Sequence, residues 1–190
     1  MNGFGGAGAF SDGKYNITNE FGGTLYEYVG KKEAIDLMNY VDQINVENGG
    51  QDTKLYCNEN SHLKKVCMQN DLHLLSANVR HLGTDINYIV LENLYKQLKD
   101  CVDIHFNTHI DSVEKLEDGY RITSGDSSWT GTTCIISTGR SGSKWMGNIC
   151  KSLNIKTKSN RVDIGVRVEL PYAIFSTLTD ELYESKIVYR

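Results

Sequence analysis

The spacing of apolar residues predicts several amphipathic helices along the chain. Residues 31–46 carry apolar positions at helical spacing, and the Asn-Gly-Gly that soon follows provides a stop. Residues 84–99 form the clearest helix, which begins at a Thr or Asp cap. Shorter helices are predicted at 61–68, with Ser61 as a candidate cap, and at 143–153. The apolar stripe of the 84–99 helix consists of Ile86, Val90, Leu94 and Leu98, widened by Leu91 and Tyr95.

Alternating or short apolar runs predict extended segments in the rest of the chain. Residues 102–106 alternate strictly, and residues 162–169 alternate over eight positions. Residues 186–190 have the sequence of the middle of a strand. Residues 120–123 and 129–136 are separated by Ser-Gly-Asp and follow an Asp-Gly turn, which predicts a small antiparallel meander. The apolar run 133–138, which ends before Gly139, is typical of a buried strand that delivers a tight turn. A helix, a strand, a meander and a further strand predict an α/β chain of mixed α+β type.

Composition limits the classes of partner. The 190 residues carry a net charge of -4 with scattered basic residues, so neither nucleic acid nor an anionic membrane is an expected partner. No apolar run approaches the ~20 residues of a membrane span, and a cytoplasmic location is expected. The five cysteines form an odd set without a C-x-x-C pair, which favours reduced thiols over disulfides or a metal site.

Two glycine-bearing turns are the main candidates for chemistry. Residues 1–23 hold seven of the 18 glycines, and Arg140 stands between two glycines in the turn 137–142. Glycines let the backbone approach a ligand closely, and a guanidinium binds anions. Arg80 and His81 precede a helix start, where side chains often face a site. The plainer alternatives are an unstructured glycine loop, an ordinary strand-to-helix turn, a surface ion pair of Arg80 and a structural His81.

Four motifs carry a resemblance to a known family. They are Gly-Phe-Gly-Gly-Ala-Gly-Ala-Phe-Ser-Asp-Gly-Lys at 3–14, Arg-His-Leu-Gly-Thr-Asp at 80–85, Ser-Thr-Gly-Arg-Ser-Gly at 137–142 and Val-Asp-Ile-Gly-Val-Arg-Val-Glu at 162–169. In this order they are similar to the uncharacterised bacterial FAD-dependent dehydrogenases, which are oxidoreductases of the two-dinucleotide-binding flavoprotein type. The stretch 85–142 resembles the later half of their FAD-binding domain.

The resemblance implies FAD as cofactor and a role for each motif. The loop from Gly5 to Lys14 would lie along FAD, the backbone of Ile110 would contact the adenine, and residues 138–140 would approach the pyrophosphate or ribose. Arg80 and His81 would face the flavin ring or a small-molecule substrate, as candidate catalytic residues. NAD(P)H is a further expected electron donor or acceptor. The implied cofactor-binding residues are Gly5, Gly6, Ser11, Asp12, Gly13, Lys14, Ile110, Thr138, Gly139 and Arg140.

The resemblance also implies a partial Rossmann-like FAD/NAD(P)-binding domain. The N-terminal strand and Gly-x-Gly-x-x-Gly turn of the family are not found before the first motif, so an internal fragment that binds FAD weakly or not at all is expected. Its segments would be a flavin-contacting loop (1–25), a helical segment (26–82), the later half of the FAD domain (83–142) and the start of a substrate domain (143–190). Exposed strand edges would favour homo-oligomers.

Two other functions remain open at this point. One is a self-contained α/β module that binds a nucleotide or phosphate without redox activity. The other is a cysteine-based enzyme with His81 or His105 as its base, although Cys134 is expected to be too buried to act as a nucleophile.

Overall fold

The computed structural model describes residues 3–59, 61–159 and 162–189. The chain divides into two compact units, of which the first comprises Met1–Ile104 with Val168–Arg190 and the second comprises His105–Arg167. The described residues form six α-helices: α1 Leu25–Val29, α2 Lys31–Asn45, α3 His62–Gln69, α4 Thr84–Leu98, α5 Ser143–Ser152 and α6 Tyr172–Leu182. They also form eight strands: β1 Lys14–Ile17, β2 Leu55–Cys57, β3 Leu72–Leu74, β4 Asn78–His81, β5 Ser112–Leu116, β6 Gly119–Ser124, β7 Ser127–Gly131 and β8 Ile187–Tyr189.

The first unit contains two small antiparallel sheets. One has the strand order β1-β4-β2, and the other pairs β3 with β8. Strand β4 is the central strand, and its Val79 is 2% exposed. Because directly opposite residues of an antiparallel pair face the same side of the sheet, the β1-β4 register puts Lys14 beside His81 and Tyr15 beside Arg80.

The helices of the first unit follow the predicted apolar stripes. Helix α2 starts and ends close to the predicted bounds and continues as a wider turn to Gly50, with Gly49 at φ 129°. Helix α3 is capped by Ser61, whose side chain accepts a hydrogen bond from the Leu63 amide, as predicted. A buried apolar cluster joins α3, β3 and α6 through Leu63, Cys67, Leu74 and Leu182.

The second unit is built around the predicted meander, which is confirmed. Strands β5, β6 and β7 pair in sequence order and are all antiparallel. The Asp-Gly turn predicted between the first two strands is also present, with Gly119 at φ 143°. Helix α5 follows a short 3₁₀ turn at Arg140–Gly142.

Three predicted strands are wrong. Residues 102–106, 133–138 and 162–169 are irregular, and none of them belongs to a strand pairing among the described residues. Alternation marks a segment that suits a sheet, but a strand forms only where a neighbouring strand supplies the hydrogen bonds. Ile110 likewise lies just before β5 and is not part of a strand. The predicted C-terminal strand is confirmed as β8, and its last predicted residue, Arg190, lies outside the described residues.

The fold is therefore of mixed α+β type. All strand pairs in the described part of the chain are antiparallel, and it shows no parallel Rossmann sheet. The predicted segment boundaries stay a prediction, and the two compact units divide the chain at other positions. Within residues 3–59, 61–159 and 162–189, no helix has both the length and the apolar character needed to cross a membrane.

Candidate functional site

The glycine loop, residues 3–14, is held against the start of helix α4 by hydrogen bonds. The Asn87 side-chain amide donates to the Gly8 carbonyl at 2.7 Å, across a separation of 79 residues. The Leu82 amide donates to the Gly13 carbonyl and the Gly83 amide donates to the Asp12 carbonyl, both at 2.9 Å. The first two motifs of the sequence therefore form one local structure.

Two of the loop glycines are required by close packing. Gly13 has φ 64°, and a Cβ atom there would lie 2.9 Å from the Cβ atoms of Asn87 and Leu82. Gly5 has φ 81°, and a Cβ atom there would lie 2.8 Å from Leu91 Cδ1. Both the left-handed conformation and the lack of space exclude a side chain, so these two glycines let the loop lie against α4.

Other loop glycines face open space. A Cβ atom built on Gly3, Gly6 or Gly8 would have no atom within 4 Å. Ser11 supports the bend from inside, because its hydroxyl accepts a hydrogen bond from the Gly13 amide at 3.0 Å. One side of the loop is thus fixed to α4, and the backbone of the opposite side is accessible to a ligand.

An open pocket of about 680 Å³ lies at the end of this loop. It is lined by Asp12 and Lys14 from the loop and β1, by Tyr56 from β2, and by residues of α6 and the turn that follows it. The Lys14 ammonium forms an ion pair with the Glu184 carboxylate. The α6 side of the pocket carries Tyr172, Thr179, Asp180, Tyr183 and Glu184.

His81 lies beside this pocket and retains unused hydrogen-bonding capacity. Its ring stacks on Tyr183, with the centroids 4.2 Å apart and the planes tilted by 31°. Its Nε2 atom is buried and has no hydrogen-bond partner. The nearest carboxylate oxygen in an ion-pair geometry, Asp12 Oδ2, is 3.6 Å away. A small movement or a bound polar group would satisfy this nitrogen.

Tyr183 has an unusual backbone conformation and a perturbed hydroxyl group. Its φ of 56° and ψ of -59° lie in a region that residues with side chains rarely occupy. Its ring also contacts Tyr56 at 5.3 Å. Burial, followed by the nearby Asp12 charge, raises the pKa of the Tyr183 hydroxyl. The phenol therefore stays protonated at neutral pH and can donate a hydrogen bond into the pocket.

Lys14 also has a raised pKa. The main cause is its hydrogen bond to Glu184, which is partly opposed by burial and supported by the Glu184 and Asp12 charges. The ammonium form is thus favoured, and the pocket holds one cation among several carboxylates.

Arg80 is occupied by partners inside the protein. Its Nε donates to Asp42 Oδ1 at 2.6 Å and its Nη2 donates to Asp42 Oδ2 at 2.9 Å, a bidentate pair. Its Nη1 donates to the Thr53 carbonyl at 2.9 Å. Both charged side chains are 11% exposed. The catalytic role of Arg80 stays a prediction. This geometry favours the alternative of a structural ion pair, and the pair is buried rather than on the surface.

The candidates of the second unit are described separately. The Ile110 carbonyl accepts a hydrogen bond from Trp145 Nε1 at 2.7 Å. Thr138, Gly139 and Arg140 are exposed, and Gly139 has φ 66°. Gly142 faces the Thr138 side chain so closely that a Cβ atom there would collide with it. The turn is exposed, and its predicted contact with the same cofactor as the glycine loop stays a prediction.

The cysteine hypothesis gains no support from the geometry. All five cysteines are free thiols, and Cys67 and Cys150 are buried. Cys134 is only partly buried, less than expected. His105 lies against Trp129, with the ring centroids 5.0 Å apart.

Sequence reasoning missed several residues of the site. Asn87 is 1% exposed and fixes the loop. The sequence contained a sign of this role, because Asn87 is a polar residue in the apolar helical row of Val90, Leu91 and Leu94. Tyr183 and Glu184 carried no such signal. They reach the pocket because tertiary packing places α6, which is remote in sequence, against the glycine loop.

Comparisons with family models, curated proteins and solved structures return no match.

Proposed function

We propose that this chain is part of an FAD-dependent oxidoreductase and that the part of the glycine loop from Gly5 to Lys14 lies along the cofactor. The observation that carries the proposal is the joining of two motifs, 3–14 and 80–85, into one structure with an accessible glycine backbone. Hydrogen bonds from Asn87, Leu82 and Gly83 fix this structure. An unstructured glycine loop would not need two positions at which a Cβ atom is sterically excluded.

The residues present fit a dinucleotide. The open backbone at Gly3, Gly6 and Gly8 admits a close approach of a flat or anionic group. Lys14 lies at the end of the loop, where a phosphate would have to replace Glu184 as the partner of its ammonium group, and the Tyr183 hydroxyl supplies a donor. Bound FAD would accept or donate a hydride, with NAD(P)H as the proposed partner in that exchange. The chain itself would supply binding, orientation and electrostatics.

His81 is the proposed proton-handling residue. Its Nε2 has no hydrogen-bond partner in the protein, so it would exchange a proton with a substrate group once a small movement of the ring brings this buried atom to the pocket. Asp12, at 3.6 Å, would stabilise the protonated imidazole, and stacking on Tyr183 would hold the ring in position. Arg80 would act indirectly, because its ion pair with Asp42 fixes the strand that carries His81.

We also propose that helix α4 of the first unit, together with the meander and the turn 138–142 of the second unit, corresponds to the later half of an FAD-binding domain. The sequence order of helix, meander and glycine turn supports this proposal. Thr138, Gly139 and Arg140 would then bind the pyrophosphate or ribose, and Ile110 the adenine. The exposed backbone of the turn is compatible with that role.

Protein-observed NMR tests the proposal even if binding is weak. The ¹⁵N-labelled chain is titrated with FAD, and the amide signals of Gly5, Gly6, Gly13 and Lys14 are expected to shift. Gly6→Val should abolish these shifts by filling the accessible side of the loop. Gly125→Val is a matched control, because Gly125 has nearly the same φ, 54° against 52°, and also faces open space. If the loop signals stay unchanged up to the highest soluble concentration of FAD, the proposal is refuted.

A parallel titration separates redox from non-redox binding. ADP contains the nucleotide and diphosphate but no isoalloxazine ring. If FAD alone shifts His81 and Tyr183 and its flavin absorbance changes on binding, the flavin part is recognised. If ADP reproduces every shift and the flavin absorbance is unchanged, the chain is a nucleotide-binding module instead.

A further inference from the structure

The segment 162–170 has the sequence of a strand but is not part of a sheet in this chain. Its apolar side chains are among the most exposed of the molecule, with Ile164 at 97%, Val166 at 90% and Val162 at 85%. None of the strand pairings in the described part of the chain includes this segment. Such an apolar, strand-forming segment is a template for pairing with another strand.

We propose that this segment pairs with the same segment of a second copy of the chain, antiparallel and centred on Gly165. The proposal is independent of the flavin proposal above. In this register Asp163 of each copy lies opposite Arg167 of the other, which produces two opposite-charge pairs related by the two-fold axis. Ile164 lies opposite Val166, and Val162 lies opposite Val168, on the other face.

The charges select this register over its neighbours. A two-residue shift that centres the pair on Val166 places Asp163 opposite Glu169, and a shift that centres it on Arg167 places Arg167 opposite itself. A parallel, in-register pair would place every charge opposite its own copy. A one-residue shift would bring apolar side chains opposite charged ones. Only the pairing centred on Gly165 combines opposite charges on one face with apolar pairs on the other.

The charged face is not the main driving force of the proposed dimer. Arg167 and Glu169 also take part in interactions within the chain, so the charged face mainly selects the register. The driving force is the main-chain hydrogen bonding between the two segments and the mutual covering of the apolar row. The proposed occupant is therefore a second copy rather than an unrelated apolar partner.

Charge reversals test the register directly. In Asp163→Arg dimers both cross-strand pairs become Arg–Arg, and in Arg167→Asp dimers both become Asp–Asp. Each variant alone should dimerise at least about tenfold more weakly than the wild type. An equimolar mixture of the two should form a heterodimer, because both of its cross-strand pairs are again opposite in charge. Sedimentation velocity from about 10 µM to about 1 mM, with one variant labelled, measures both effects.

Two controls and one further variant complete the experiment. Asp126→Arg and Lys156→Asp make the same charge changes at exposed positions outside the segment and should leave the dimer unchanged. Ile164→Lys should weaken it at least about tenfold. A monomeric wild type over the whole range would overturn the proposal, as would a dimer that Ile164→Lys leaves intact or a mixture of the charge variants that stays monomeric.

Discussion

The buried ion pair between Arg80 and Asp42 provides a quantitative test of how the first unit is stabilised. Replacing Asp42 with Leu leaves a guanidinium that has lost two short hydrogen bonds and cannot reach water without disturbing β4. Breaking one partner of such a pair costs about 3–5 kcal/mol. Arg80→Met should cost a similar amount, because it leaves the Asp42 carboxylate buried and unpaired.

The double variant should be far less damaged than the sum of the single variants. Asp42→Leu with Arg80→Met replaces the pair by apolar side chains, a change that is often nearly neutral. About 1 kcal/mol should still be lost, because the Thr53 carbonyl no longer receives its hydrogen bond from Arg80. The double-mutant cycle should thus give a coupling energy of several kcal/mol.

Urea unfolding followed by far-UV circular dichroism measures these free energies. At an m-value of about 1–3 kcal/mol/M, each single variant should lower the unfolding midpoint by more than about 1 M. Single variants that each cost less than about 1 kcal/mol would refute the reasoning. Repeating the FAD titration on the double variant adds a functional result. Preserved shifts would assign Arg80 a structural role, and their loss in a stable protein would support contact with the ligand.

Three further predictions concern the glycine loop and its pocket. Asn87→Ala should cost about 1–3 kcal/mol, measured by urea unfolding, because the Gly8 carbonyl loses its donor and a cavity remains. Gly13→Ala should cost at least about 1 kcal/mol and Gly6→Ala less, because both have positive φ but only Gly13 lacks space. The raised pKa of Lys14 means that its stabilising contribution is complete below its ordinary pKa of 10.5 and is lost as the pH rises through the raised value. Glu184→Gln should reduce this alkaline loss of stability in melting experiments, and an equal loss in both proteins would contradict the assignment.

The helices could be predicted from the sequence because their signal is local. The stripe of α4 and the Ser61 cap of α3 are each complete within a few residues, so both predictions are confirmed. The meander was predictable for the same reason, since its turns carry Asp-Gly and Ser-Gly-Asp. The strands predicted at 102–106, 133–138 and 162–169 are wrong because a strand depends on a partner that the local pattern does not specify.

The site was predictable only in part. Asp12, Lys14 and His81 belong to motifs that the sequence marks, and the β1-β4 register brings them together. The burial of Arg80 depends on Asp42, whose place on α2 gives no sign of a partner on β4. Tyr183 and Glu184 follow the last turn of α6, and their contact with the loop arises from tertiary packing alone.

The docking of the glycine loop on α4 determines when the site can form during synthesis. Its anchors, Leu82, Gly83 and Asn87, are translated roughly seventy residues after the loop itself. The loop must therefore wait, without its hydrogen-bond partners, until α4 has left the ribosome, and closing so long a separation makes this contact slow relative to the neighbouring helices. A nascent chain that stops before α4 would carry the glycine motif without the hydrogen bonds that fix its geometry.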